Sequence, residues 1–185
     1  MPYGCNLDFM QALTRDELLA LLRSARAASE RDWLLILIAF HHGLRVSEVI
    51  RIKREDIRGG ELTVCRLKGS QKTVQPLVSH AEPLLDERSG LLDYLKSAPI
   101  SSPLFKQHRS TAWRRIQRHA HAAGIAPQKA SVRALKHSLA TQTIDKAGVK
   151  AVQLQLGHKS AKNTLVYTDL SPADAAERIR GALSA

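Results

Sequence analysis

Cysteine is almost missing from this chain: Cys5 and Cys65 are the only two in 185 residues, and they form no CxxC pair. A disulfide framework is therefore excluded as the organising device, and a reducing compartment is expected. Long apolar runs are missing too. The longest, residues 33–40, has eight residues, whereas a bilayer span needs ~20, so it reads as a buried core helix. The start Met1-Pro2-Tyr3-Gly4-Cys5 carries no charged leader and no transit character, and the expectation is a soluble, cytoplasmic protein with no membrane partner. Metal-binding spacing is likewise absent. His41-His42 and His119-x-His121 lack the i, i+4 interval that puts two ligands on one helix face, and no Cys or carboxylate cluster accompanies them, so neither metal nor cofactor is expected.

Acidic residues are scarce relative to basic ones. The 17 Asp and Glu against 28 Lys and Arg leave a formal charge of +11, which makes a polyanion the natural partner. The cations are spread over segments with helical apolar periodicity, so they belong to a folded surface and not to a basic tail. Composition alone leaves both a DNA-binding and a basic RNA-binding protein open.

The length suits one core and is short for two full domains, and no repeat, low-complexity stretch or long linker offers a boundary. Thr14 with Glu17 forms a capping box ahead of Leu18, Leu21, Leu22 and Ala25, predicting a helix over 14–28. A second helix starts near Arg31 and runs to a glycine cap at Gly43, and Ser47 reads as the N-cap of a short third. After the Gly59-Gly60 turn, Leu62 and Val64 and then residues 74–77 read as two strands joined by Lys68-Gly69-Ser70-Gln71. Leucines between 84 and 95 predict helix interrupted near Ser89-Gly90. Residues 110–123 predict an amphipathic helix with Trp113, Ile116, Ala120 and Ala123 on one side and Arg114, Arg118 and His121 on the other. Those three cations are candidate DNA contacts, although a solvated face is the ordinary reading of such a pattern. Helices are expected again over 131–147, 149–156 and 172–183. The fold class is mainly α with a small antiparallel β-sheet, an α+β domain.

Phosphodiester transfer needs a nucleophile, cations for the equatorial oxygens of phosphorus, and an acid for the departing oxygen. Side-chain cations suffice for this without a metal. Four segments carry such groups: Gly43-Leu44-Arg45-Val46-Ser47-Glu48-Val49; Leu67-Lys68-Gly69, with Lys68 eight residues before Pro76; Leu156-Gly157-His158; and Tyr167, nine residues after His158. In order and spacing they resemble the tyrosine recombinase (phage integrase) family, from Thr14 to Pro172. The resemblance implies a catalytic-domain fold and metal-independent, site-specific strand cleavage and rejoining through a 3′-phosphotyrosine. Within it, Tyr167 is the nucleophile, Arg45 and Lys136, with Arg133 as a candidate third cation, hold non-bridging oxygens, His158 hydrogen-bonds the phosphate, and Lys68 protonates the leaving 5′-oxygen. Glu48 positions the first box.

A fifth segment departs from the family. Where members show His-x-x-Arg-His, this chain reads Arg133-Ala134-Leu135-Lys136-His137. Lysine keeps the charge but lacks arginine's bidentate fork. Arg133, one helical turn earlier, is a candidate to restore a guanidinium beside Lys136. The expected organisation is a single catalytic domain: an extension over 1–13, a core over 14–170, and a C-terminal helix over 171–185 through which protomers associate on double-stranded DNA. The layout is similar to short fimbrial-switch invertases without a core-binding domain, whose hairpin resembles Arg66-Leu67-Lys68-Gly69-Ser70. An impaired homologue acting as a DNA-binding regulator is the alternative that Lys136 keeps open.

Overall fold

The computed structural model describes residues 12–66, 72–98, 102–168 and 180. Helix α1 (Arg15–Ala28) begins on the expected capping box, with Thr14 and Glu17 each satisfying the other's backbone N–H. It lays Leu18, Leu21, Leu22 and Ala25 on α2 (Glu30–His41). Nine consecutive residues of α2, 32–40, are buried, because α1, α4 (Glu87–Ser97), α5 (Arg109–Ala122) and α6 (Val132–Leu156) all pack against it. A helix apolar on every side is stable only when enclosed in this way. Its single buried acid, Asp32, accepts from Arg115 Nη1 (2.6 Å) and His119 Nε2 (3.0 Å), tying α5 to α2. Burial alone would raise the Asp32 pKa, but these two bonds hold it below the ordinary carboxylate value.

Several expectations are corrected by tertiary contacts. Helix α4 runs unbroken through Ser89-Gly90: a Cβ at Gly90 would lie 2.3 Å from the Trp33 ring. The glycine is thus a packing requirement and not a breaker. Leu84 and Leu85 precede that helix in turns, and the Leu84 carbonyl accepts from Trp33 Nε1 at 3.0 Å. In α5, Trp113 is 52% exposed, and Ala112 takes the core position beside Ile116 and Ala120. The short helix α3 (Val46–Val49) is capped by Arg45 and not by Ser47.

The sheet has three antiparallel strands, β1 (Ile57–Arg58), β2 (Glu61–Val64) and β3 (Thr73–Pro76), where only two were expected. The Gly59-Gly60 turn, both residues with positive φ, joins β1 to β2. Leu62 opposite Gln75 and Val64 opposite Thr73 set the β2–β3 register. The two-residue period buries Leu62, Val64 and the polar Gln75, while Val74 is exposed. Helix α6 combines the two expected segments across a kink at Gly148 (φ 80°, ψ 157°) and ends at the left-handed Gly157. Helix α7 (Lys162–Leu165) then leads to Tyr167. The hairpin tip 67–71, the extension over 1–11 and most of 171–185 lie outside the described residues. No described helix is long and apolar enough to cross a membrane.

Candidate active site

The junction between α2 and α3 presents Arg45. Its backbone N–H donates to Glu48 Oε2 and its Nη1 to Glu48 Oε1, both at 2.8 Å. The Glu48 carboxylate is fully buried while the Arg45 side chain is 37% exposed. Glu48 therefore aims a guanidinium that still reaches solvent. The same carboxylate accepts from Arg66 Nη1 at 3.3 Å.

Arg66, quoted in the hairpin segment without a role of its own, is central to the site. It sits just past β2 with its side chain buried, donating to the carbonyls of His42 (2.9 Å), Gly43 (3.2 Å) and Gln155, and to Thr73 Oγ1 (3.3 Å). Burial pulls its pKa down, and Glu48 opposes the shift. Arg66 thus links the Arg45 loop to the end of α6. It also explains Gly157: a Cβ there would lie 3.0 Å from Arg66 Nε, and the residue holds φ 65°. An isolated arginine inside a strand-to-hairpin transition is the signal that was available in the sequence.

Lys136 is buried on α6, and its Nζ donates to the Leu156 carbonyl at 2.8 Å. That carbonyl is in the last turn of α6, where helix geometry leaves acceptors unpaired and the dipole favours a cation. Burial, then repulsion from Arg66 and Arg45, lowers the Lys136 pKa from 10.5 to about 7, with Glu48 opposing. Arg133 is exposed in the first turn of the same helix. One turn separates the two, but they occupy different environments.

His158 follows the Gly157 cap. Its N–H donates to the Gln153 carbonyl (3.0 Å), its own carbonyl accepts from Gln153 Nε2 (3.1 Å), and its Nδ1 pairs with Thr164 Oγ1 (3.0 Å). Burial, followed by Lys136, Arg45 and Arg66, lowers its pKa to about 4. The imidazole is neutral at pH 7. The backbone carbonyl of Thr164 accepts the Tyr167 N–H at 3.1 Å, so the turn that supplies the histidine's hydroxyl partner also holds the tyrosine backbone. The Tyr167 ring is half-buried against His137, centroids 5.0 Å apart and tilted by 55°. Burial raises its pKa, so the phenol is protonated at neutral pH.

Arg45, Arg66, Lys136 and His158 are thereby one electrostatic unit, and Thr164 joins Tyr167 to it. Lys68 lies outside the described residues. Lys72 is exposed at the base of the hairpin and lines a cleft of 540 Å³ with Val74, Leu154, His158 and Lys159. On α5, Arg114 and His121 are exposed, and Arg118 is 68% exposed with Nη2 3.7 Å from Asp32. Arg115 and His119 face inward. Among the described residues, no group of three His, Cys, Asp or Glu side chains could hold a metal.

Tyrosine recombinase XerA of Pyrococcus furiosus is 31% identical over 93% of this chain and 62% of its own length. Tyrosine recombinase XerD of Pseudomonas putida is 30% identical over 88% of this chain and 58% of its own. The chain spans about three fifths of the length of these curated relatives. Among solved structures, a XerA recombinase shares the fold with a TM-score of 0.72 at 21% identity, over 98% of this chain and 66% of that one. The similarity to fimbrial-switch invertases rests on the hairpin, most of which is outside the described residues. Residues 11–174 match the phage integrase family, and the chain belongs to that family.

Proposed function

We propose that this domain is the catalytic part of a site-specific DNA recombinase that cleaves and rejoins double-stranded DNA through a phosphotyrosine at Tyr167. The observation that carries the reading is the assembly of Arg45, Lys136 and His158 into one charge-coupled group, with Tyr167 anchored to it through Thr164. In this reading Tyr167 Oη forms a bond to phosphorus and gives its proton to solvent water, the bond from phosphorus to the 5′-oxygen breaks, and the departing oxygen takes a proton from Lys68. The 3′-phosphate remains as a tyrosyl ester, so its bond energy is kept for religation by the reverse attack.

Arg45 and Lys136, the latter held by the Leu156 carbonyl, bind the non-bridging oxygens, and His158 hydrogen-bonds the phosphate. Fixed cations and donors around the phosphate are the main source of transition-state stabilisation in such a site. Arg114, Arg118 and His121 on the solvent face of α5 contact the duplex, and the 171–185 segment joins protomers on DNA. The formal charge of +11 supports a polyanionic substrate.

A nicked suicide DNA substrate carrying the cognate site tests the proposal. Covalent protein–DNA adduct with the native chain and none with Tyr167→Phe supports it. Salt-sensitive duplex binding with no adduct from the native chain would overturn it in favour of a DNA-binding regulator, and preference for structured RNA would overturn both.

A further inference from the structure

Behind the site lies a second polar cluster that the chemistry above does not use. His42 is fully buried between two acceptors: Nδ1 is 2.7 Å from Gln75 Oε1 and Nε2 is 2.7 Å from Glu87 Oε1. The orientation of the Gln75 amide follows from its other bonds. Gln155 Nε2 donates to Gln75 Oε1 (3.1 Å), and Gln75 Nε2 donates to the Gln155 carbonyl (2.9 Å) and to Thr73 Oγ1 (3.3 Å). Turning the amide over would oppose two NH2 groups. Both His42 nitrogens thus face acceptors, and Glu87, wholly buried, bridges the two histidines, its other oxygen lying 2.7 Å from His41 Nδ1. Burial alone would raise the Glu87 pKa, but the two histidine bonds hold it below the ordinary value.

Each member belongs to a segment that carries a site residue. His42 lies three residues before Arg45. Gln155 lies three before His158 and adjoins Leu156, whose carbonyl holds Lys136. Gln75 sits on β3, one arm of the hairpin whose tip includes Lys68. Gln155 Nε2 closes the cluster by donating to the His41 carbonyl at 2.9 Å. Glu87 comes from α4, which supplies nothing to the site. A buried polar cluster is weak evidence of stabilisation, since an apolar replacement of similar volume often does as well. What it does provide is a single register between the groups it joins.

We infer that the His42–Glu87–Gln75–Gln155 cluster is a positioning device that holds the Arg45 loop and the His158 turn at a fixed separation for phosphate binding. Its members touch no substrate and act through Arg45 and His158. The inference rests on the recombinase reading for its consequence in catalysis, but not for the coupling itself.

Glu87→Gln and Gln155→Met break the cluster from opposite sides at nearly constant volume, and Leu95→Ala, an apolar truncation on α4, serves as the destabilised control. Amide hydrogen exchange is read at Leu44, bonded to the Ala39 carbonyl, and at His158, bonded to the Gln153 carbonyl. Both amides are expected to exchange faster in both cluster variants, with no matching change at the α1 amides. In Leu95→Ala any acceleration should instead be spread across the fold. On a suicide substrate at saturating DNA, the cluster variants should form adduct about 10–100-fold more slowly, because misplacement near 1 Å has that effect, while duplex affinity stays within about twofold. Unchanged exchange at either amide, or the same pattern in Leu95→Ala, would overturn the inference. So would an unchanged adduct rate in an active background. A native chain that forms no adduct would sink the recombinase reading alone, and the exchange comparison would still decide the coupling.

Discussion

Replacing Lys136 with methionine isolates what a buried ammonium does to this fold. In the unfolded chain the group titrates near its ordinary value of 10.5, whereas burial beside Arg66 and Arg45 brings it to about 7. At about 1.4 kcal/mol for each tenfold change in proton affinity, that difference amounts to about 5 kcal/mol of destabilisation at neutral pH. Methionine has similar length and no charge, so the variant escapes this cost but leaves the Leu156 carbonyl without its donor, a loss of roughly 1–3 kcal/mol. The net expectation is a stabilisation of about 2–4 kcal/mol, or roughly 4–16 °C in Tm for a domain of this size. The pH dependence gives the sharper signature. Between about pH 7 and 10.5 the unfolded state holds the proton that the folded state has released, so native stability rises with pH through that window and is flat with respect to Lys136 below it. Thermal melts followed by circular dichroism at pH 6, 7 and 9.5 should therefore show the gap between Lys136→Met and the native chain constant at first and then narrowing. A variant less stable than the native chain at pH 7, or two profiles that run parallel up to pH 9.5, would refute the reasoning.

Glu48→Ala should be strongly destabilising, by about 3–5 kcal/mol in urea denaturation, because it leaves the buried Arg66 guanidinium without its carboxylate. Arg114→Ala should weaken duplex binding similarly for all sequences and reduce the slope of log affinity against log salt by about 0.9, the value for one lost phosphate contact; an unchanged slope in a salt titration would remove Arg114 from the interface.

The helices were legible wherever apolar period and capping agreed, as in α1, where Thr14 and Glu17 mark the start and the buried face follows. Errors arose where one residue served a tertiary neighbour. Gly90 looks like a helix breaker until the Trp33 ring is placed against it. In β3 hydrophobicity alone would turn Val74 inward, yet Gln75 is buried because His42 and Gln155 complete its hydrogen bonds. Arg45, His158 and Tyr167 stood out because their spacing is local to a junction or a helix end. Arg66, Thr164 and Glu87 were given no role, since side-chain partners such as Gln155 for Arg66, 89 residues away, and His42 for Glu87, 45 away, share no short motif with them. The basic face of α5 was read in outline only: Arg114 and His121 are exposed, while the neighbouring Arg115 and His119 bond Asp32.

The central claim is that Tyr167 is the nucleophile of a charge-coupled phosphate site. The most direct measurement is denaturing electrophoresis of the native chain and Tyr167→Phe after incubation with a nicked cognate duplex, followed by mass spectrometry of the adduct. The account predicts a protein–DNA species in the native chain alone, with the modification on the peptide that contains Tyr167. An adduct that survives in Tyr167→Phe, or that maps to another residue, would contradict it.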